Sequence, residues 1–316
     1  MAHNDKSQIT FSVQHLIERN TKQRKKTQRI NRIVPLLLKI IASVSIVTTL
    51  GIIFTLANET LMFFQTIPLH SFLTGKEWLP FFEDPKFGIL PLICGTFLVT
   101  AIAMFVAIPI GLACAVFLSE YASNGARKVL KPMLELLAGI PTIVYGFFAL
   151  TVVTPLLQRI IPDLQFFNAI SPGIVIGFMM TPTIASLSED AMRAVAKGTK
   201  EASLALGATR FEMVKQVVFP SAFTGIMAAI ILAASRAIGE TMIVVIAAGS
   251  TPNVSLDPTQ SIQTLTAYIV QVSLGDAPHG TITYYSMYAV GATLFLFTLI
   301  MNIISQSIMR RFRRVT

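Results

Sequence analysis

Arg236 and Glu240 are two charged residues inside an apolar stretch that is predicted to run over residues 222–249. An arginine near the centre of a lipid bilayer costs on the order of 3 kcal/mol to insert. The spacing of four residues would place both side chains on one helical face, where they could form an ion pair. Such a buried pair rarely improves on apolar packing, which favours a functional role over a purely structural one. Because a guanidinium group offers forked donors that match a tetrahedral anion, the pattern predicts an anion site and leaves phosphate, sulfate and carboxylate open.

The composition of the chain indicates the kind of protein that carries this pair. Of its 316 residues, 53% are hydrophobic and 13% are charged, and the mean hydropathy is +0.67. Soluble proteins carry about 25% charged residues, so a soluble enzyme is excluded. A membrane-crossing helix needs about 20 apolar residues, and the sequence predicts an all-α, polytopic membrane protein with six transmembrane helices. The six predicted spans are residues 33–57, 91–119, 133–157, 172–187, 222–249 and 286–308. The fourth is short and rich in Gly and Pro, so we expect it to be irregular.

The basic residues are distributed unevenly between the two sides of these spans. Twenty of the 25 Lys and Arg residues fall in residues 1–32, 120–132, 188–221 and 309–316, and three fall in the intervening loops. Because cytoplasmic loops carry the excess of Lys and Arg, both termini are predicted to be cytoplasmic and residues 58–90 extracytoplasmic. The basic tail at residues 1–32 is expected to attract anionic lipid. No aromatic residues interleave with its charges, so no nucleic-acid partner is expected.

The cytoplasmic loop at residues 188–221 is too long for a turn and lacks an apolar run that could cross the membrane. Thr199 is expected to cap a first helix, and Gly207 supplies the left-handed residue that often ends one. Thr209 and Glu212 match a capping box that opens a second helix, which Pro220 is expected to close.

One surface of this loop is more apolar than a free loop needs. It carries Leu204, Leu206, Phe211, Met213 and Val214. From composition alone, the segment is either an amphipathic element that rests on lipid or a helix that docks into the groove of a partner.

The same loop resembles the EAA signature of the ATP-binding-cassette importer permeases, which reads Glu-Ala-Ala, three residues, Gly, nine residues and Ile-x-Leu-Pro. Glu201-Ala202-Ser203, Gly207 and Val-Val-Phe-Pro at residues 217–220 keep this spacing, although Ser203 and two apolar positions differ from the commonest residues. In that family the segment forms the coupling helix that fits a cleft in the ATPase subunit. The resemblance therefore implies that Glu201, Ala202 and Gly207 are coupling residues, and it favours docking to a partner.

Two further segments resemble one particular type of permease subunit within this family. The sequence SRAIGETM around Arg236 and Glu240, with LLAGIPTIVYGFFAL at residues 136–150, is similar to the PstC-type permease subunits of bacterial phosphate importers. Related sulfate and molybdate permeases usually follow Gly-Glu with Phe-Gly instead of Thr-Met. The resemblance implies a type I ABC importer (MetI-like) permease fold with a core at residues 91–308, preceded by one helix. It also implies that phosphate passes Arg236 and Glu240.

The resemblance implies partners and a location as well. The expected partners are a second homologous permease subunit of the PstA type, a dimer of ATPase subunits and an extracytoplasmic phosphate-binding protein. The expected location is the bacterial plasma (inner) membrane. The chain has no G-x-x-x-x-G-K-[ST] loop to cradle a nucleotide, so ATP hydrolysis is expected in a partner chain.

Other functions stay open as alternatives. The permease could serve another oxyanion such as sulfate or molybdate, or the chain could be an ATP-independent anion channel or secondary transporter. A membrane-embedded enzyme is disfavoured, because the two Cys residues lie in apolar runs and the four His residues lie in tails or loops. No catalytic residue, metal ligand or cofactor is therefore predicted.

Overall fold

The computed structural model describes the backbone of residues 3–312 and the side chains of residues 31, 34–275, 277–304, 306 and 307. The basic side chains of the two predicted tails, residues 1–32 and 309–316, lie outside this described part. The chain divides into two units, residues 1–57 and 58–316. In the first unit the chain is helical from His3 onward, and the large apolar side chains between residues 34 and 54 are exposed. A helix that is apolar all round is typical of a membrane span.

The described residues contain five helices that are long and apolar enough to cross a membrane. They run over Val34–Thr66, Leu90–Tyr121, Ile170–Arg193, Arg210–Ile238 and Ile282–Ile304. A bent pair of helices, Asn124–Ala138 and Thr142–Gln158, forms a sixth span if the two count as one. The prediction of an all-α membrane protein is therefore confirmed, and among the described residues it has five such helices and one bent pair.

Shorter helices and one small hairpin connect the spans. In chain order the elements are α1 His3–Thr66, α2 Leu69–Thr74, β1 Trp78–Leu79, β2 Lys86–Phe87, α3 Leu90–Val116, α4 Asn124–Ala138, α5 Thr142–Phe148, α6 Thr154–Gln158, α7 Ile170–Arg193, α8 Lys197–Ala205, α9 Arg210–Met213, α10 Phe219–Ile238, α11 Met242–Ala247, α12 Leu265–Gln271 and α13 Ile282–Phe312. Within the described backbone, wide π-helical turns adjoin these helices at Phe117–Tyr121, Ala149–Val153 and Val214–Val218, and a further segment at Val272–Asp276 is interrupted by Gly275 at φ +106°.

The third predicted span, residues 133–157, is not a single helix. Helix α4 and the helical stretch Thr142–Gln158, which begins with α5, meet at an angle of 83° around Gly139, Ile140 and Pro141. Proline lacks an N–H group and disfavours helical geometry in the residue before it, so Pro141 ends the first helix and starts the second. None of the residues of α4 is buried.

The fourth predicted span is a regular helix, α7, so the expectation that it is irregular was wrong. Its glycines serve close packing against α3. A Cβ atom on Gly173 would lie 2.7 Å from Cγ2 of Ile102, and one on Gly177 would lie 2.7 Å from Cβ of Val106. Small residues let two membrane helices approach closely. Helix α7 consequently contributes much of the main buried cluster, including Val175, Ile176, Met179, Met180 and Ile184.

Residues 58–90 are folded against the start of the core. Strands β1 and β2 pair antiparallel, with Trp78 opposite Phe87. The Trp78 ring packs edge-on against the Tyr268 ring of α12 at a centroid distance of 4.8 Å. Edge-to-face packing of this kind adds about 0.5–1.5 kcal/mol beyond area burial. The segment is therefore a structured cap, held by a buried aromatic cluster.

Candidate functional site

The apolar stretch around Arg236 and Glu240 is interrupted at residues 239–241. Helix α10 ends at Ile238 and α11 begins at Met242. Glycine is a poor helix former, which favours a break at Gly239. One backbone group at the break is satisfied within the protein, since the Thr266 hydroxyl donates to the Glu240 carbonyl oxygen at 2.7 Å. The prediction of one continuous helix over residues 222–249 was therefore wrong.

Arg236 lies in the last turn of α10, and its side chain is exposed. Leu232, one turn earlier on the same stripe, is 51% exposed. Among the side chains that the structure describes, no acidic group lies within 4.0 Å of the Arg236 guanidinium. The predicted ion pair with Glu240 is therefore absent, because the helix ends before residue 240 and the spacing of four no longer defines one face.

Glu240 is buried, with 8% of its surface exposed. Its Oε1 atom accepts a hydrogen bond of 3.5 Å from the Ile243 N–H in the first turn of α11. A carboxylate at this end of a helix satisfies a free N–H group and interacts favourably with the helix dipole. The carboxylate of Glu240 therefore shapes the break instead of neutralising Arg236.

The loop at residues 188–221 folds into two helices joined at Gly207, as its glycine and capping residues predict. Gly207 has φ +91°, and the Ala208 N–H donates to the Ser203 carbonyl at 3.2 Å, which is a Schellman ending. The Thr209 hydroxyl accepts from the Glu212 N–H, and the Glu212 carboxylate accepts from the Thr209 N–H at 2.8 Å. The predicted capping box is therefore confirmed.

Two details of this loop differ from the prediction. Helix α8 begins at Lys197, with Ala196 as its N-terminal cap, so Thr199 lies inside the helix. Pro220 does not end the second helix, because the π-helical turn at Val214–Val218 leads directly into α10. Proline is tolerated in the first turn of a helix, and Pro220 occupies that position in α10.

The apolar surface of the loop divides into a buried part and an exposed part. Met213 and Val214 are 4% and 6% exposed and pack in a cluster with Met192 and Ala115. Three apolar side chains remain on the outside, namely Leu204, Leu206 and Phe211, which are 40%, 91% and 66% exposed. The predicted coupling residues Glu201, Ala202 and Gly207 are also exposed. We refer to these six exposed residues as the coupling face, after the role that the resemblance implies.

A buried acidic residue that sequence reasoning missed lies at the end of α7. The Glu189 side chain is fully buried, with Arg127 Nε and Lys131 Nζ of α4 each 2.8 Å from its carboxylate oxygens. Arg193, one turn later, lies 3.8 Å away. The i, i+4 pair of Glu189 and Arg193 and the matching pair Arg127 and Lys131 were the available signals. The cluster joins α4, the first helix of the bent pair, to α7.

A family model described as "Binding-protein-dependent transport system inner membrane component" matches residues 107–314 of the chain. The permease protein YqgH of Bacillus subtilis, described as a probable ABC transporter permease, is 37% identical over 85% of this chain and 87% of its own length. The phosphate transport system permease protein PstC of Mesorhizobium japonicum is 33% identical over 76% of this chain and 78% of its own. The chain belongs to this family of binding-protein-dependent permeases.

The solved structures agree with this assignment at the level of the fold. A bacterial ABC transporter involved in import of the acidic polysaccharide alginate matches with a TM-score of 0.62 at 17% identity, over 90% of this chain and 98% of that one. The inward-facing MetNI methionine ABC transporter matches with a TM-score of 0.52 at 16% identity, over 71% and 94%. The chain thus has the fold of a MetI-like ABC importer permease, a multi-span protein of the inner membrane.

The family match includes every residue that the sequence singled out. Arg236, Glu240, Glu201, Ala202 and Gly207 all lie within residues 107–314. The structure leaves Glu201, Ala202 and Gly207 all exposed, and it does not pair the side chain of Arg236 with that of Glu240. Among the described residues, no three His, Cys, Asp or Glu side chains are grouped to hold a metal ion.

Proposed function

We propose that this permease is the membrane subunit of an ATP-driven phosphate importer. The observation that carries the proposal is Arg236, a cation exposed on an apolar helix with no acidic partner among the described side chains. A charge of this kind is costly against lipid and normally faces a bundle interior or a water-filled cavity. The stripe of α10 that carries Arg236 therefore lines the translocation pathway. The relatives named as PstC phosphate permeases support phosphate as the anion.

Glu240 serves the pathway through the backbone. Its carboxylate accepts from the Ile243 N–H, and its carbonyl accepts from Thr266, so it holds the break between α10 and α11 next to Arg236. A broken helix near a substrate site offers free backbone groups for binding. In this proposal the guanidinium of Arg236 contacts the oxyanion, while Glu240 keeps the break in shape.

The coupling face serves the partner ATPase. Leu206 at 91% and Phe211 at 66% exposure are anchors of the kind that a groove on a partner buries. Glu201, Ala202 and Gly207 complete this face. ATP binding and hydrolysis in a dimer of ATPase subunits would move the coupling face and expose the pathway alternately to each side. The permease itself performs no covalent chemistry.

The proposed orientation of the protein in the membrane follows from the distribution of Lys and Arg. Both termini and the coupling face lie in the cytoplasm, and the aromatic cap at residues 58–90 lies outside. A second homologous permease of the PstA type covers the Arg236 stripe. A phosphate-binding protein delivers the anion from the outside.

Reconstitution of the complete complex in vesicles tests this function. We expect labelled phosphate to accumulate only when ATP is supplied on the coupling-face side and the binding protein on the opposite side. Uptake of sulfate or molybdate in preference to phosphate would reassign the substrate. Phosphate movement by the chain alone, without ATP or partners, would indicate a channel or secondary transporter instead.

Replacement of Gly207 tests the coupling face. At φ +91° a β-branched residue is strained, although no atom lies within 4 Å of the added Cβ. We expect Gly207→Val to weaken co-purification with the ATPase and to reduce ATP-dependent uptake. Gly207→Asn is the matched control, because asparagine tolerates this conformation, and it should retain most of both. Equal uptake in the valine variant and the wild type would contradict the assignment.

A further inference from the structure

Helix α8, which carries part of the coupling face, is joined to the end of α3 by a largely buried ion pair. The Lys200 Nζ atom of α8 is 2.6 Å from the Glu120 Oε1 atom, although the two residues are 80 positions apart. Glu120 lies in the π-helical turn at Phe117–Tyr121 that extends α3. The Lys200 and Glu120 side chains are 14% and 8% exposed, so water competes little for either charge.

Lys200 also reaches the end of α7. Its Nζ atom donates to the Met192 carbonyl oxygen at 3.1 Å. The Ser119 hydroxyl, next to Glu120, lies 3.6 Å from the Met192 sulfur. Three segments of the core therefore meet around Met192, and Lys200 bonds to two of them.

The ammonium group of Lys200 is the main polar connection between α8 and the rest of the protein. Helix α8 has no buried residue. Among the described residues, no side chain of α8 other than Lys200 forms a hydrogen bond or ion pair with another helix. Glu201, the next residue, points outward on the coupling face. Lys200 thus contacts the core, and the adjacent Glu201 is exposed toward the proposed partner.

We propose that Lys200 and Glu120 are a positioning pair that transmits the movement of the coupling face to α3. This inference rests on the proposed function. Separating two desolvated charges leaves each without compensation, so a displacement of α8 carries Glu120 and the end of α3 with it. Helix α3 packs closely against α7 through Gly173 and Gly177, and this packing passes the displacement into the core.

The test measures phosphate transported per ATP hydrolysed by the complete complex in vesicles. The variants are Lys200→Met, Glu120→Gln and the double variant, with Lys200→Arg as the conservative replacement. We expect each single variant to keep the ATPase bound and hydrolysing while the transport ratio falls by about fivefold or more. The double variant should be no worse than either single one, because both remove the same interaction. Lys200→Arg should recover most of the wild-type ratio.

A second ion pair provides the matched control. The Lys86 and Glu77 side chains on the hairpin are also 2.6 Å apart but are 51% and 58% exposed. Lys86→Met and Glu77→Gln should leave the transport ratio unchanged. A similar loss in these variants would overturn the assignment of a specific role to Lys200 and Glu120.

The remaining outcomes are also decisive. An unchanged ratio in Lys200→Met and Glu120→Gln overturns the inference. If a single variant fails to assemble, the double variant, which leaves no buried charge unpaired, decides: a lowered ratio supports the inference, and a normal ratio or failed assembly overturns it. Absence of ATP-dependent phosphate uptake in the wild-type complex would instead contradict the proposed function, so the two failures are distinguishable.

Discussion

Glu189 and Arg236 are both charged residues in apolar helices, yet they differ in burial and in whether oppositely charged side chains surround them. Glu189 is fully buried and has two basic side chains at 2.8 Å and a third at 3.8 Å. Arg236 is exposed and has no acidic partner among the described side chains. The first charge is neutralised within the chain, whereas the second has no neutralising partner among the described side chains.

Under the proposed function, this difference separates a structural charge from one that contacts the anion. A buried carboxylate is retained only when its desolvation is compensated, and the Glu189 cluster supplies that compensation while it joins α4 to α7. A free guanidinium on a helix surface gains nothing from its own chain. Charged residues in apolar helices thus differ in whether the chain itself supplies their partners.

Removal of the guanidinium should give the largest effect on transport. Because a truncated charge contact costs 2 kcal/mol or more, we expect Arg236→Gln to reduce ATP-dependent phosphate uptake by about 30-fold or more. Thermal unfolding and co-purification with the partners should stay at wild-type values, since among the described residues the Arg236 side chain makes no ion pair or hydrogen bond that the change would remove. Arg236→Lys keeps the charge without the fork and should give an intermediate rate. Wild-type uptake in Arg236→Gln would make this residue structural, like Glu189.

Removal of the Glu189 charge should affect stability instead. We expect Glu189→Gln to lower the free energy of unfolding by about 2 kcal/mol, because Arg127 and Lys131 lose a charged partner but are exposed enough to hydrate in part. Denaturant unfolding in detergent measures this change. Asp190→Asn is the matched control, since Asp190 also pairs with Lys131 but its side chain is 58% exposed, and it should cost about 0–1 kcal/mol. Equal effects at both positions would remove the distinction between buried and exposed charge.

The exposed pair of Glu77 and Lys86 should give the smallest effect. The hydrogen bond and charge of Glu77 raise the pKa of Lys86 above its ordinary value of 10.5. The contribution of the pair to stability is present below pH 10.5 and is lost only as the pH rises through the raised value. We therefore expect unfolding curves of the wild type and Glu77→Gln to be nearly superimposable at pH 7. A clear difference at neutral pH would show that exposed pairs matter here as much as Glu189.

The sequence predicted well wherever the determinant is local. The capping box of Thr209 and Glu212 and the left-handed Gly207 depend on a few neighbouring residues, and the structure confirms both. The break at Gly239 and the bend at Pro141 are also caused by local residues. A span predicted from a continuous apolar run does not reveal such interruptions. The prediction that Arg236 and Glu240 pair was wrong because a spacing of four residues defines one helical face only while the helix continues.

Other features could not be read from local sequence at all. Glycine in α7 can signal either a weak helix or a close contact, and only the position of α3 decides that Gly173 and Gly177 are contacts. Lys200 and Glu120 are 80 residues apart, and nothing in either neighbourhood indicates that they meet.

By itself the sequence determined the membrane environment, the helical class and the glycine ending and capping box at Gly207, Thr209 and Glu212, because hydropathy and capping act over short stretches of chain. Tertiary structure alone decided which charges are compensated. Whether Glu189, Glu120 or Arg236 finds a partner depends on which helices pack together, and the desolvation that makes a partner necessary exists only once they have packed.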